Sequence, residues 1–324
     1  MSNPVATDTR IRDHVQRLGE KYPPIPLESA DFTLRDADAV RERFADVLSY
    51  MARVEMEVER NVLELAVLLP GSSDVDRTFA NDVWGPQEEH HGALLDELGR
   101  RIGLPPTEAD LDTVTPKIRL IGAIAHIRPV HEVIRLLYYL TGAATERSAT
   151  IAYQGFSDGL GEMGETSVQR TVIDAIKAQE PGHFAYYRMS ATRLVQSGAL
   201  APWQLSLARF LRSRTFGLVG AGNREQRADY GALIVQMDLE RQIDHHVRDI
   251  ARVESHLLWA HRQGMKVPAY ALKAFREAAD LYRERAAVSA QQQAAVSASG
   301  TSAPQQAGPL ESAAKKVALS ASTV

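Results

Sequence analysis

Residues 83–99 read VWGPQEEHHGALLDELG, and the order of apolar and polar side chains in this stretch decides the fold. Ala80, Trp84, Glu88, His91, Leu95 and Leu98 recur at three- and four-residue steps, the spacing of one face of an α-helix. That face is apolar except for Glu88 and His91, which lie three apart and so point together into whatever the stripe packs on. A second stretch, IDAIKAQEPGHFAYYRM at residues 173–189, repeats the arrangement. There Glu180 and His183 interrupt the stripe Ile173, Ile176, Tyr187, Ala191 and Leu194. A buried ionised carboxylate is costly unless it is paired or bound to a cation.

Two further helical patterns carry inward carboxylates. Leu136, Tyr139, Ala143, Glu146, Thr150 and Tyr153 share a face, and the small residues Gly142, Ala143 and Ala144 leave space beside Glu146. Across residues 36–69, a single predicted helix, the stripe is Phe44, Leu48, Met51, Glu55, Val58, Val62, Leu65 and Leu69. This helix offers Glu55, Glu57, Glu59 and Glu64. Glu57 shares its face with Arg53, Arg60, Asn61 and Glu64 and reads as solvated, whereas Glu55 and Glu59 lie one turn apart and both remain candidates. The inventory is one Glu from each of two helices and Glu-x-x-His from each of two others. That is the ligand set of di-iron and di-manganese carboxylate four-helix bundles. Four carboxylates neutralise two divalent cations, and oxygen with imidazole suits iron or manganese rather than calcium.

Composition narrows the alternatives. The 324 residues carry 41 acidic and 37 basic side chains, a formal net charge of −4 that argues against a nucleic-acid partner. The absence of cysteine excludes disulfides, zinc–thiolate sites, iron–sulfur clusters and cysteine nucleophiles. No run of about 18 apolar residues predicts a membrane span. The first residues lack a secretory core, so cytoplasmic location is expected. Residues 1–33, broken by Pro23, Pro24 and Pro26, are expected to be flexible. Further helices are predicted over residues 76–102, 118–127, 130–156, 166–196, 203–215, 223–264 and 268–287. The Ala-, Ser- and Gln-rich tail, residues 288–324, is expected to be disordered. The expected architecture is all-α: a ferritin-like four-helix bundle with additional C-terminal helices, formed by residues 34–287. Pro181 and Gly182, inside Glu-x-x-His, would cost about 3 and about 1 kcal/mol within a continuous helix. They imply either a kinked or bulged helix or a fresh helix start. His245 with Asp249 reads as part of a solvated, ion-paired helix.

Four stretches together resemble a known family. WGPQEEHHG (84–92) resembles the W-T-A-E-E-N-R-H-G motif of soluble acyl-[acyl-carrier-protein] desaturases. ATERSATIAYQG (144–155) is similar to their F-Q-E-R-A-T-F-I-S-H-G stretch, and AQEPGHFAYYRM (178–189) to their D-E-x-x-H-x-x-x-Y stretch. VERNVLEL (58–65) is similar to T-E-D-N-L-P-S-Y of their first ligand helix, and this match selects Glu59. The resemblance spans roughly residues 36–198.

It implies two Fe, with Mn also compatible, held by Glu59, Glu88, His91, Glu146, Glu180 and His183. It also implies O2-dependent removal of two hydrogens from an acyl chain on acyl carrier protein, within lipid metabolism, with electrons from ferredoxin. Assembly as a homodimer stays open. Trp84, Tyr153, Phe184 and Tyr187 would line or support the pocket. The departures are Gln87 and Gln179, where the family places acids that orient the histidines, and Ala149, where it places a Thr. An amide can still accept a histidine N–H. A related di-iron hydroxylase or N-oxygenase of specialised metabolism is the first alternative, and a non-enzymatic ferritin-like iron-binding protein the second.

Overall fold

A computed structural model describes residues 7–109, 111 and 116–299. The described residues contain helices and no strand, so the chain is all-α. The helices run α1 Asp8–Lys21, α2 Ala37–Met56, α3 Val58–Leu68, α4 Asp74–Thr78, α5 Gly85–Arg101, α6 Pro116–Ala125, α7 Arg128–Met163 and α8 Thr166–Val168. They continue as α9 Asp174–Lys177, α10 Glu180–Gln196, α11 Pro202–Thr215, α12 Arg224–Gln236, α13 Ile243–Ile250, α14 Arg252–Glu254, α15 Ala260–Gln263 and α16 Ala269–Ser299. No described helix is long and apolar enough to cross a membrane. Residues 1–284 form one compact unit, and the chain beyond Glu284 belongs to a second.

α2 packs on α5 and α7 packs on α10, and these four helices supply the centre described next. The predicted stripes are the buried faces: Ala80, Trp84, Leu95 and Leu98 around Glu88 and His91, and Ile173, Ile176, Tyr187, Ala191 and Leu194 around Glu180 and His183. α7 and α10 approach closely because Gly142 lacks a side chain. A Cβ there would meet the Tyr187 ring at 2.4 Å, so this ring fills the expected space.

Five expectations are corrected. The single helix over residues 36–69 is broken at Glu57 (φ −76°, ψ 4°) into α2 and α3. Glu57 itself is fully buried rather than solvated, gripped by Arg53 at 3.0 Å and Arg60 at 2.5 Å. The helix predicted over 166–196 is divided into α8, a π-helical segment Gln169–Ile173, α9 and α10. Pro181 stands in the first turn of α10, so the fresh start is what forms, and the ring's missing N–H falls where no helical acceptor is needed. Within the expected loose arm, residues 8–21 form α1, which buries Ile11, Val15 and Leu18. Leu18 sits where a Cβ on Gly182 would be, 2.2 Å from that position, so α1 docks against the start of α10. Finally, residues 288–299 of the expected tail continue α16, while 300–324 lie outside the described residues.

Candidate metal centre

Six side chains converge between the paired helices: Glu55 from the end of α2, Glu88 and His91 from α5, Glu146 from α7, and Glu180 and His183 from α10. All are buried, both histidines completely. They divide into two donor sets, Glu55–Glu88–His91–Glu180 and Glu88–Glu146–Glu180–His183, each with ligand atoms within 4.8 Å of one another. Glu88 and Glu180 belong to both. His91 Nδ1 lies 3.4 Å from Glu88 Oε2 and 3.4 Å from Glu180 Oε1, with Glu55 at 4.0 Å. His183 Nδ1 lies 3.0 Å from Glu88 Oε1, 3.7 Å from Glu146 and 3.8 Å from Glu180 Oε2. The layout is that of two cation positions bridged by two carboxylates, each closed by one further carboxylate and one imidazole.

The histidines are held from behind by a crossed brace. His183 Nε2 bonds Gln87 Oε1 at 2.6 Å, and His91 Nε2 bonds Gln179 Oε1 at 2.9 Å, so each Glu-x-x-His helix supports the other's imidazole. The amide orientation is fixed independently. Gln87 Nε2 donates to the Tyr22 carbonyl and Gln179 Nε2 to the Pro23 carbonyl at 2.9 Å. A carbonyl only accepts, so the amide oxygens must face the rings, and Nε2 of each histidine is the N–H donor. Nδ1 is left with a lone pair aimed at the carboxylates. The proline-rich stretch after α1 makes this brace. Prolines lack N–H groups and keep the chain out of helix, leaving carbonyls open to side-chain donors. Ile25 adds its carbonyl to His90 Nδ1 at 2.8 Å.

The electrostatics of the centre follow from burial and from the mutual charge of its acids. Burial first, and then the charge of Glu88, push Glu55 and Glu180 well above the usual carboxylate range. Burial also raises Glu146. For Glu88, burial is outweighed by hydrogen bonds from Glu55, His183 and His91, and its carboxyl falls well below the usual range. Burial would lower His183, yet bonds to Glu146, Glu180 and Glu88 raise it well above an ordinary imidazole. Four buried atoms that face inward, Glu88 Oε1, His91 Nδ1, Glu180 Oε1 and His183 Nδ1, have no partner outside this cluster of ligand groups. Each such atom costs about 1–3 kcal/mol unless something binds it. These are the lone pairs a cation would take, so the residues present fit a pair of divalent ions.

Glu59 is corrected: it is exposed on α3, and Glu55 takes the first-helix position. The reason is its place beside the buried stripe, which continues across the break through Glu55, Val58, Leu65 and Leu69 and leaves Glu59 off it. The apolar stripe itself runs through Glu55. The carbonyls of Tyr22 and Pro23 had gone unnoticed, and the proline run was the signal that could have revealed them. Tyr153 donates to Glu55 Oε1 at 2.6 Å, and Tyr187 meets Tyr138 through their hydroxyls at 3.2 Å. Trp84 is buried in the apolar wall, while Phe184 faces a groove on the outer side of α10. Thr150 turns its hydroxyl back to the Glu146 carbonyl at 2.8 Å. Asp249 pairs with Arg147, and His245 joins no ligand group among the described residues. Comparison with family models, curated proteins and solved structures returned no match for this chain.

Proposed function

We propose that the protein is an O2-dependent two-iron oxidoreductase that desaturates an acyl chain bound to acyl carrier protein, using electrons from ferredoxin. One observation carries the metal assignment. Two donor sets share Glu88 and Glu180, and the inward atoms of Glu88, His91, Glu180 and His183 are buried without partners outside the cluster. The acyl substrate, the carrier and ferredoxin rest on the desaturase-like motifs at residues 84–92, 144–155 and 178–189.

An iron pair supplies reductive activation of dioxygen when bound. The chain's own residues have separate tasks. Glu55 with His91, and Glu146 with His183, close the two positions. Gln87 and Gln179 keep the Nε2 protons in place, so both imidazoles present Nδ1 inward. Tyr153 holds its proton against Glu55. Tyr139, Tyr186, Trp84 and Phe79 wall the α10 side and exclude water. Phe184 and Arg147, the residues after His183 and Glu146, line a groove of ≈ 630 Å³. Its apolar members are Met189, Val253, Leu257 and Met265, and Arg188 and Arg252 stand at its rim. Such a groove suits an apolar chain with an anionic head.

The test is metal analysis of the isolated protein, followed by turnover with acyl carrier protein thioesters, ferredoxin, ferredoxin reductase and O2. Two irons per chain and a product lighter by two hydrogens are expected. A product heavier by one oxygen would replace the desaturase by the related hydroxylase. The Thr150 hydroxyl, tied back to Glu146, keeps that second reading in view. Many irons per assembled particle and no product would point to storage.

A further inference from the structure

Asp76 is a buried carboxylate, 4% exposed, outside the candidate metal centre. Its Oδ1 accepts from Tyr186 Oη at 2.6 Å and from Tyr139 Oη at 2.8 Å. Its Oδ2 accepts from Ser73 N at 3.0 Å and Ser73 Oγ at 2.9 Å. The Ser73 contacts are explained by capping of α4. Two phenols converging on one carboxylate oxygen are not.

Aromatic contacts join this triad to the centre. The Phe79 ring stacks on Tyr186 with centroids 3.6 Å apart and planes at 16°. Its edge meets the ring of His183 at 6.2 Å and 75°. On the other side Tyr139 meets Tyr186 at 6.4 Å and 87°, and lines a surface cavity of ≈ 300 Å³ with Arg12, Arg135 and Asp76. An unbroken path of rings therefore runs from a ligand histidine to the surface. It contains groups that can be oxidised and a base for the proton they must lose. Burial raises Tyr139 and Tyr186 well above an ordinary phenol, so each keeps its proton until an electron leaves.

We propose that Tyr186, Asp76 and Tyr139 form a redox relay, which drains oxidising equivalents from the metal centre when dioxygen reacts there without substrate. This rests on the two-iron reading above. Dioxygen is the oxidant. Tyr186 gives one electron toward the centre through Phe79 and His183, and its phenolic proton passes to Asp76 Oδ1. The products are a neutral tyrosyl radical and a carboxylic acid. Tyr139 then supplies an electron to Tyr186 and a proton to Asp76, while the proton on Asp76 returns to Tyr186. The radical now sits at the surface cavity, where a small one-electron reductant of the ascorbate class returns the electron and the proton held on Asp76 goes back to Tyr139. Tyr138 and Tyr187 bond only each other through their hydroxyls and have no such base. The base of Tyr153 is Glu55, whose charge is committed to a cation once the centre is filled.

Full-length protein loaded anaerobically with ferrous iron is mixed with O2 in the absence of substrate and freeze-quenched for electron paramagnetic resonance. A tyrosyl signal is expected, with iron content and iron oxidation followed in parallel. Tyr186→Phe should lower its yield by about tenfold or more, whereas Tyr282→Phe, at a phenol that donates to Asp46 outside the centre, should leave it in place. Tyr139→Phe should keep the yield but slow its decay in ascorbate by about tenfold. A chain that binds no iron pair overturns the two-iron reading and the relay with it. A chain that binds and oxidises two irons without a tyrosyl signal, or whose signal survives Tyr186→Phe, overturns the relay alone.

Discussion

Two buried polar regions of this chain solve one problem in different ways. Arg212 of α11 and Glu254 of α14 are both nearly inaccessible and meet at 2.7 Å. Tyr270 donates to the second Glu254 oxygen, Trp259 Nε1 bonds Tyr270 at 2.9 Å, and Arg212 Nη1 bonds Thr141 at 3.0 Å. There the protein brings its own cation. The centre at Glu55, Glu88, Glu146 and Glu180 holds four carboxylates and two imidazoles, and among the described residues the ion pairs of these acids are with the two histidines. A buried acid needs a counter-charge, so a cluster that receives none from the chain is built to take one from solution. Glu57 sharpens the contrast within a single helix end: two residues beyond Glu55 and more deeply buried, it is clamped by Arg53 and Arg60.

Chelation should separate the two regions most strongly. With two ions present at about a hundred times their dissociation constants, binding stabilises the fold by about 5 kcal/mol. Stripping them should lower the melting temperature by about 10 °C or more in scanning calorimetry. Glu88→Ala, which removes a residue common to both positions, should abolish that metal-dependent difference. An equal melting temperature with and without chelator in the native chain would break the comparison. Arg212→Met is next. It leaves Glu254 buried without its cation, at a cost of about 3–5 kcal/mol in denaturant unfolding. Iron content should not change, because this region carries no ligand.

A smaller effect tests the brace and a related one the charge. Gln179→Leu removes the acceptor for His91 and should weaken metal binding by about 10- to 100-fold in competition with a coloured chelator. Gln179→Glu should restore binding if the amide's only task is to accept the Nε2 proton. The pH dependence has a definite sign. Glu55, Glu146 and Glu180 are raised above 4.5 by burial, against one lowered carboxyl, Glu88. Above pH 4.5 the metal-free native state therefore holds protons the unfolded chain has lost, and its stability falls as pH rises through the raised values. Ions displace those protons, so affinity should increase with pH by about tenfold per unit for each proton released. Tighter binding at pH 6 than at pH 8 would contradict the charge pattern.

Much of this was legible because burial and period coincide. Trp84, Glu88, His91 and Leu95 fall on one face, as do Ile176, Glu180, His183 and Tyr187, so polar residues inside apolar stripes announced a centre. What escaped depends on where helices stop. The interruption at Glu57 has no local marker, since Arg53, Glu57 and Arg60 are pairs an unbroken helix also allows, and the long-range contacts of Arg53 to Gly220 and Asp229 appear only in the fold. The docking of α1 depends on Leu18 meeting the bare face of Gly182, which no local pattern encodes. The tyrosine–aspartate triad joins residues 63 and 110 positions apart in the chain, and only the fold unites them.

The smallest expected effect decides between two glutamates one turn apart. The apolar stripe through Phe44, Leu48 and Met51 reaches Glu55, while the likeness of residues 58–65 to a desaturase motif selects Glu59. Glu55 is buried and takes a hydrogen bond from Tyr153 at 2.6 Å, and Glu59 is exposed. Glu55→Gln should therefore lose iron from the position it shares with His91. Glu59→Gln should leave iron content unchanged and stability within about 0.5 kcal/mol of the native chain. The reverse result would require α2 and α3 to join into one helix when metal binds. It would also have to bring the Glu59 carboxylate in from solvent and leave Glu55 buried beside Tyr153 with no cation to offset it. The cost of that rearrangement is the physical ground for assigning the position to Glu55.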